Sequence, residues 1–255
     1  MTIESPIRDR RRFKLIIEFD GTDFSGWQRQ GRAVRTVQGE IENAIAQILQ
    51  QKVTVIGSGR TDAGVHALAQ VAHSDLILSK FPLEKLHFAL NSLLPGDVQV
   101  LSLEETSLSF HARFQALSRS YRYRVERRRH PLLQRFSWTP PYAWDDDVIG
   151  KAVQMLPGRH SFKSFCLQRP GEDGYFCTVK GTAWEVDENG VNFLITADRF
   201  LHKMVRGLVG ALIDVGRGRY TLDDFRDLLD EPVRNGAVSV APPHGLTLLC
   251  VDYPL

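Results

Sequence analysis

Asp62 and Arg60 stand two positions apart in the run Gly57-Ser-Gly-Arg-Thr-Asp-Ala-Gly-Val-His-Ala67, and their types could do chemistry. A neighbouring guanidinium favours the ionised form of a carboxylate, the form that a nucleophile or a general base requires. Gly57, Gly59 and Gly64 permit positive φ and close backbone approach, which suits either a tight turn or a bulky ligand. A plainer reading has Asp62 capping a turn with Arg60 facing water, because Asp and Gly are ordinary turn residues. Phosphate-cradling readings fail on spacing. A dinucleotide fingerprint needs glycine where Asp62 stands, and a P-loop needs Lys-Ser/Thr where Val65-His66 stands.

A second group of candidates is basic and aromatic. Six arginines fall between Arg119 and Arg129, interleaved with Tyr121 and Tyr123, and four more lie between Arg8 and Arg12. Such a run is either a solvated edge or a strip that contacts phosphates. Strand alternation would place Tyr121 and Tyr123 on one face, to stack on bases or to fill a core. Lys203 and Arg206, three apart on an expected helix, would share a face, and Arg206 sits close enough to the apolar stripe to need a partner.

The elements that must position these residues follow from periodicity. Residues 13–20 read as a strand and 36–50 as an amphipathic helix, followed by strands over 52–56 and 67–75. Pro82 opens a second helix closed by Pro95-Gly96, and 98–104 is a strand. This β-α-β-β-α-β order is the split βαβ unit. It recurs as a long strand over 114–127, a helix over 144–156, strands over 179–187 and 191–197 around Asn189-Gly190, a helix over 200–215, a short helix from the box Thr221-x-x-Asp224, and a strand over 246–252. The expected fold class is α+β: two ferredoxin-like halves forming one extended, mainly antiparallel sheet with helices on one face. The expected domains are 1–110, carrying the Asp62 loop, and 111–255, with an insertion at about 158–180 that reads as a surface connection or a mobile loop.

With 255 residues and 43% hydrophobic content, the chain can bury one large core or two smaller ones. No apolar run is long enough to cross a bilayer and the first residues lack an apolar signal core, so the expectation is an unexported, cytoplasmic protein with no membrane partner. Cys166, Cys177 and Cys250 suggest neither a disulfide framework nor a structural zinc site. A net charge of +2 does not by itself announce a nucleic-acid partner.

Nine blocks, in order, resemble the TruA family of tRNA pseudouridine synthases across nearly the whole chain. They are Phe19-Asp-Gly-Thr-x-Phe-Ser-Gly-Trp27-Gln28, Thr36-Val-Gln38, Gly59-Arg-Thr-Asp-Ala-Gly-Val-His66, Asn91-x-Leu-Leu-Pro95, Phe110-His-Ala-Arg-Phe114, Tyr121-Arg-Tyr123, Gly158-x-His-x-Phe-x-Ser-Phe165, Phe200-Leu-x-x-Met-Val-Arg206 and Ala241-Pro-x-x-Gly-Leu246. Phe19 departs from the commoner tyrosine, and Thr178-Val179-Lys180 from Thr-x-Arg. The resemblance implies a homodimer that converts uridines at positions 38 to 40 of the tRNA anticodon arm without cofactor or metal. It makes Asp62 the nucleophile, Arg60 its ion-pair partner and a filler of the space left by the extruded base, and Tyr121 the aromatic against the target base. Arg206 and Lys203 are the further substrate-binding candidates. A non-catalytic RNA-binding or tRNA-folding protein is the alternative.

Overall fold

The computed structural model describes residues 10–31, 34–78, 81–168, 174–231 and 238–254. Two compact units emerge, residues 1–116 with 251–255, and residues 117–250. Among the described residues, nine strands and five α-helices make a mostly antiparallel α+β fold.

In the first unit, β1 (Arg10–Phe19) alternates cleanly, burying Phe13, Leu15, Ile17 and Phe19 and leaving the intervening residues partly exposed. Helix α1 (Val37–Leu49) begins where the Thr36 hydroxyl accepts from the Gly39 amide, and it buries Val37, Ile41, Ala44 and Ile45. It stops at Gln50, which adopts a left-handed backbone. The two-residue β2 (Ile56–Gly57) pairs with β3 (His66–Ile77); α2 (Leu83–Leu93) and β4 (Val98–Thr106) complete the β-α-β-β-α-β order. The hydrogen-bonded order is β4-β1-β3, antiparallel throughout.

The strand expected over 52–56 is almost absent. Val53 and Val55 are buried and alternate with exposed Lys52 and Thr54, but no ladder forms. The Val55 amide instead donates to the buried Glu42 carboxylate at 2.9 Å, and the Thr54 carbonyl accepts from the Ser74 hydroxyl at 3.0 Å. Side-chain packing produced the period of two without strand partners.

The second unit opens with β5 (Ser118–Glu126), shorter than the 114–127 strand expected because 111–115 forms a turn. There, His111 Nδ1 accepts from the Arg113 and Phe114 amides. Asp145 caps α3 (Asp146–Val153) by accepting from Asp147 and Val148. The supposed insertion is partly built into the sheet. β6 (Gly158–Ser161) pairs with β7 (Phe176–Val186), and a 3₁₀ turn at Lys163–Phe165 is anchored by buried Phe162 and Phe165. Residues 169–173 of that region lie outside the described residues. β8 (Gly190–Ala197), α4 (Met204–Gly216), α5 (Leu222–Asp230) and β9 (Leu246–Asp252) follow, with the Thr221–Asp224 capping box present as expected. Within this unit the strand order is β9-β5-β8-β7-β6.

Helix α4 buries nearly every residue, including Gly207 and Gly210. A Cβ at Gly207 would lie 2.1 Å from the Phe165 carbonyl oxygen, and one at Gly210 would lie 1.8 Å from that of Ser239. These glycines let neighbouring backbone pass against the helix.

Candidate active site

The loop between β2 and β3 is held from three sides within the first unit. At its entrance the Ser58 amide donates to the Val71 carbonyl at 2.7 Å, and the Ser58 hydroxyl donates to Gln70 Oε1 at 2.6 Å. Gln70 Nε2 returns a bond to the Gly59 carbonyl at 2.9 Å, so one buried amide side chain holds two consecutive residues at the entrance of the turn. At its exit the Val65 amide donates to the Asp62 carbonyl, and Gly64 takes φ +77° to reverse the chain. Buried His66 accepts the Gly21 amide at Nδ1.

Beneath the loop runs the segment 20–28. Gly26, at φ +91°, passes so close that an added Cβ would sit 2.6 Å from the Thr61 carbonyl oxygen; at Gly21 it would sit 2.0 Å from that of Val65. The Trp27 amide donates to the Thr61 carbonyl at 3.2 Å, and the Trp27 ring packs under Gly57. The same segment caps the N-terminus of α1. The Val37 and Gln38 amides, orphan donors of the first helical turn, donate to the Gly26 and Trp27 carbonyls. Gln38 Oε1 accepts from Gln28 and from the Arg29 amide, while its Nε2 donates to Glu42. Asp62 is therefore fixed through backbone on both sides. The supporting roles of Gly21, Gly26, Trp27 and Gln38 were missed from sequence, although the glycine spacing in residues 21–26 was their visible signal.

Asp62 is half-buried and Arg60 is exposed. Arg60 makes no ion pair among the described residues, so in the protein alone its guanidinium faces solvent. Of the three loop glycines, Gly64 takes positive φ and Gly57 meets Trp27, whereas Gly59 has open space around it.

In the second unit, Tyr121 is half-buried on β5, its ring edge-on to Phe200 with centroids 5.0 Å apart. Tyr123, for which stacking on bases and filling a core were both open, is fully buried and takes the core role. Its hydroxyl donates to the Pro242 carbonyl at 2.8 Å, and burial pushes the phenol well above its ordinary range. A Cβ at Gly245 would strike the Tyr123 ring at 2.6 Å, which ties the 241–246 block to this tyrosine.

The helix expected from Phe200 begins at Met204. Lys203 precedes it with a left-handed backbone at φ 64°, so Lys203 and Arg206 do not share a helical face by three-residue spacing. Arg206 Nε donates to the Ala241 carbonyl at 2.8 Å, which meets its need for a partner. Tyr121, Phe200 and the start of α4 are thus assembled in one unit, and Arg60 with Asp62 in the other.

Three of the six arginines in the run are spent on the fold. Arg124 pairs with buried Glu126 at 2.7 Å and with Asp187, Arg127 pairs with Asp146, and Arg119 donates to the Asp198 carbonyl. Arg128 and Arg129 are exposed, and neither side chain has an acceptor among the described residues. No group of three His, Cys, Asp or Glu side chains among the described residues could hold a metal ion, and no helix there is long and apolar enough to cross a membrane.

Comparison with known proteins adds a direct constraint. A family profile described as tRNA pseudouridine synthase matches residues 15–115 and 152–254. The tRNA pseudouridine synthase A of Chlorobaculum tepidum is 40% identical over 246 residues, covering 96% of this chain and 99% of that one. The protein of the same name from Bacillus pumilus is 40% identical over 244 residues, covering 94% and 98%. The one from Rhodopseudomonas palustris is 42% identical over 249 residues, covering 95% and 98%.

Proposed function

The chain belongs to the tRNA pseudouridine synthase family, and from that premise we propose that Asp62 is the residue on which its uridine isomerisation turns. The enzyme converts uridine in tRNA to pseudouridine; the sites at positions 38 to 40 of the anticodon arm, the homodimer and the cytoplasmic setting come with the family resemblance. The observation that carries the assignment is the backbone immobilisation of the Asp62 loop, from Ser58 to His66, by Gln70, Gly21, Gly26 and Trp27.

Isomerisation breaks the C1′–N1 glycosidic bond, turns the uracil, forms C1′–C5 and moves the C5 proton to solvent while N1 gains one. Addition of a carboxylate to C1′, its addition to the base, and removal of a ribose proton to give a glycal all require one positioned carboxylate. A half-buried Asp62 on a fixed turn meets that requirement. The target nucleotide must leave its stack, at a cost on the order of a few kcal/mol, and Tyr121 offers an aromatic face to replace the lost neighbour. Arg60, facing solvent in the protein alone, takes up the pairing and space-filling role once RNA is bound. Lys203 and Arg206 are assigned to the RNA backbone, with Arg206 held in place through Ala241.

The test is release of tritium from tRNA labelled at uridine C5, without added metal or cofactor, beside Asp62→Asn. Wild-type release with none from the variant, at equal tRNA binding, supports the assignment. Turnover by the variant at near wild-type rate refutes it, and binding without release by the wild type indicates a non-catalytic RNA-binding protein.

A further inference from the structure

A cavity of about 420 Å³ opens in the second unit on the connection between β5 and α3, lined by Arg127, Pro140, Pro141, Tyr142, Ala143 and Trp144. None of the residues assigned above to catalysis or substrate belongs to it. Its size lies within the range of roughly 300–1,000 Å³ of small-ligand sites.

Both aromatic walls are braced in the same way. Arg127 lies over the Trp144 ring at 5.1 Å and pairs with Asp146, which also accepts from the indole N–H groups of Trp144 (2.8 Å) and Trp184 (2.9 Å). Arg217 lies over the Tyr142 ring at 4.2 Å and pairs with buried Asp214 at 2.7 Å; Asp214 also accepts from Arg219 and Ser239. The two guanidiniums are neutralised by carboxylates and are held as stacking partners rather than offered to phosphate. Pro140 and Pro141 restrict the backbone between the walls and supply no amide donors. Tyr142 is nonetheless 43% exposed.

Immediately before Arg128 and Arg129 stands Arg127, itself part of the wall. Those two arginines are the exposed cations of the run whose side chains find no acceptor among the described residues. A braced aromatic cavity with two unpaired cations directly following one of its lining residues in the chain is the combination that single-stranded nucleic acid uses: base on a π-face, phosphate on arginine.

We infer that this cavity seats one unpaired nucleotide of the substrate tRNA outside the reacting uridine, its base against Tyr142 and Trp144 and its phosphates against Arg128 and Arg129. The inference rests on the tRNA reading above. It makes the cavity a determinant of affinity and of which tRNAs are chosen, and leaves the chemical step unaffected, because binding shared by ground and transition states changes KM and not kcat.

The experiment compares wild type, Tyr142→Ala, Tyr142→Phe and Arg128→Ala/Arg129→Ala in tritium release from full-length tRNA, with photo-crosslinking of tRNA carrying 4-thiouridine. Stacking predicts a KM about 5- to 100-fold higher for Tyr142→Ala with kcat retained, rescue by Tyr142→Phe, and crosslinks at Tyr142 or Trp144 lost in the alanine variant. Normal turnover by wild type with unchanged KM in both Tyr142→Ala and the double-arginine variant, and no crosslink there, overturns the site while leaving the synthase reading standing. A wild type that binds tRNA without releasing tritium fails that reading instead. Crosslinks at the cavity in that case still support the seat. Thermal melting of each variant separates lost affinity from lost fold.

Discussion

Replacing Gly26 by alanine should silence the enzyme from beneath its active loop. An added Cβ would lie 2.6 Å from the Thr61 carbonyl oxygen, 0.8 Å inside the 3.4 Å of ordinary contact, and 3.2 Å from both the Asp62 carbonyl carbon and the Ala63 nitrogen. Those atoms are backbone, so no side-chain rotation can relieve the overlap. The φ of +91° adds about 1–2 kcal/mol of strain for a residue with a Cβ. Either the loop lifts by most of an ångström or the 25–29 segment sinks, and then the Trp27–Thr61 bond and the amide contacts that cap the start of α1 are disturbed. A misplacement of about 1 Å at a reacting group costs on the order of a hundredfold in rate. The expected outcome is a kcat lower by about that factor in single-turnover tritium release at saturating tRNA, a smaller change in binding, and a melting temperature lower by several degrees. Gly59→Ala serves as the folding control, since its Cβ would meet nothing within 4 Å, and it should melt with wild type. A Gly26→Ala enzyme within threefold of wild-type kcat would refute the claim that this contact positions Asp62.

Burial, reinforced by the charges of Arg12 and His111, holds His73 near 4, against an ordinary value of 6.5, while its Nδ1 accepts the Ala112 amide. The unfolded chain then binds a proton that the fold refuses, so stability should fall as pH drops from about 6.5 towards 4, by up to about 3 kcal/mol, in urea midpoints across that range. A His73 imidazole signal titrating near 6.5 would sink this account. Tyr123→Phe removes the partner of the half-buried Pro242 carbonyl and should cost roughly 1 kcal/mol in denaturant unfolding, with an unchanged midpoint counting against the bond. Arg124→Ala should destabilise by roughly 3 kcal/mol, because it abandons buried Glu126, yet leave the salt dependence of tRNA binding alone. Arg128→Ala/Arg129→Ala should do the reverse, lowering the log–log salt slope by about 1.4–1.8. Equal slopes for these two proteins would show that the intramolecular pairing is not what separates their roles.

Where local signals and tertiary structure agree, the sequence was legible. The apolar spacing of α1, the capping box of α5 and the bounds of β9 all follow from neighbours in the chain. Legibility ended where a distant partner decided the outcome. Glu42 took the Val55 amide that a strand would have paired, and the left-handed backbone of Lys203 delayed the start of α4 from Phe200 to Met204. Asp146 and Asp187 claimed arginines that looked available from composition. At the candidate site the Arg60-Thr-Asp62 chemistry was visible in the residue types. The architecture beneath it was not, because Gly26 reveals its purpose only against a carbonyl 35 positions downstream.

The short segment around Gly26 and Trp27 has a practical consequence for anyone recombining this enzyme with a relative. Its carbonyls cap the N-terminus of α1 and its Trp27 amide meets the loop, so helix and loop are spliced to one strip of backbone. Exchanging the loop alone would import residues fitted to another strip, and exchanging the helix alone would leave that strip unanchored. Residues 20–29, 36–42 and 57–70 form a single heritable cassette, and a chimera that crosses over inside it should lose turnover even when every parental residue is sound.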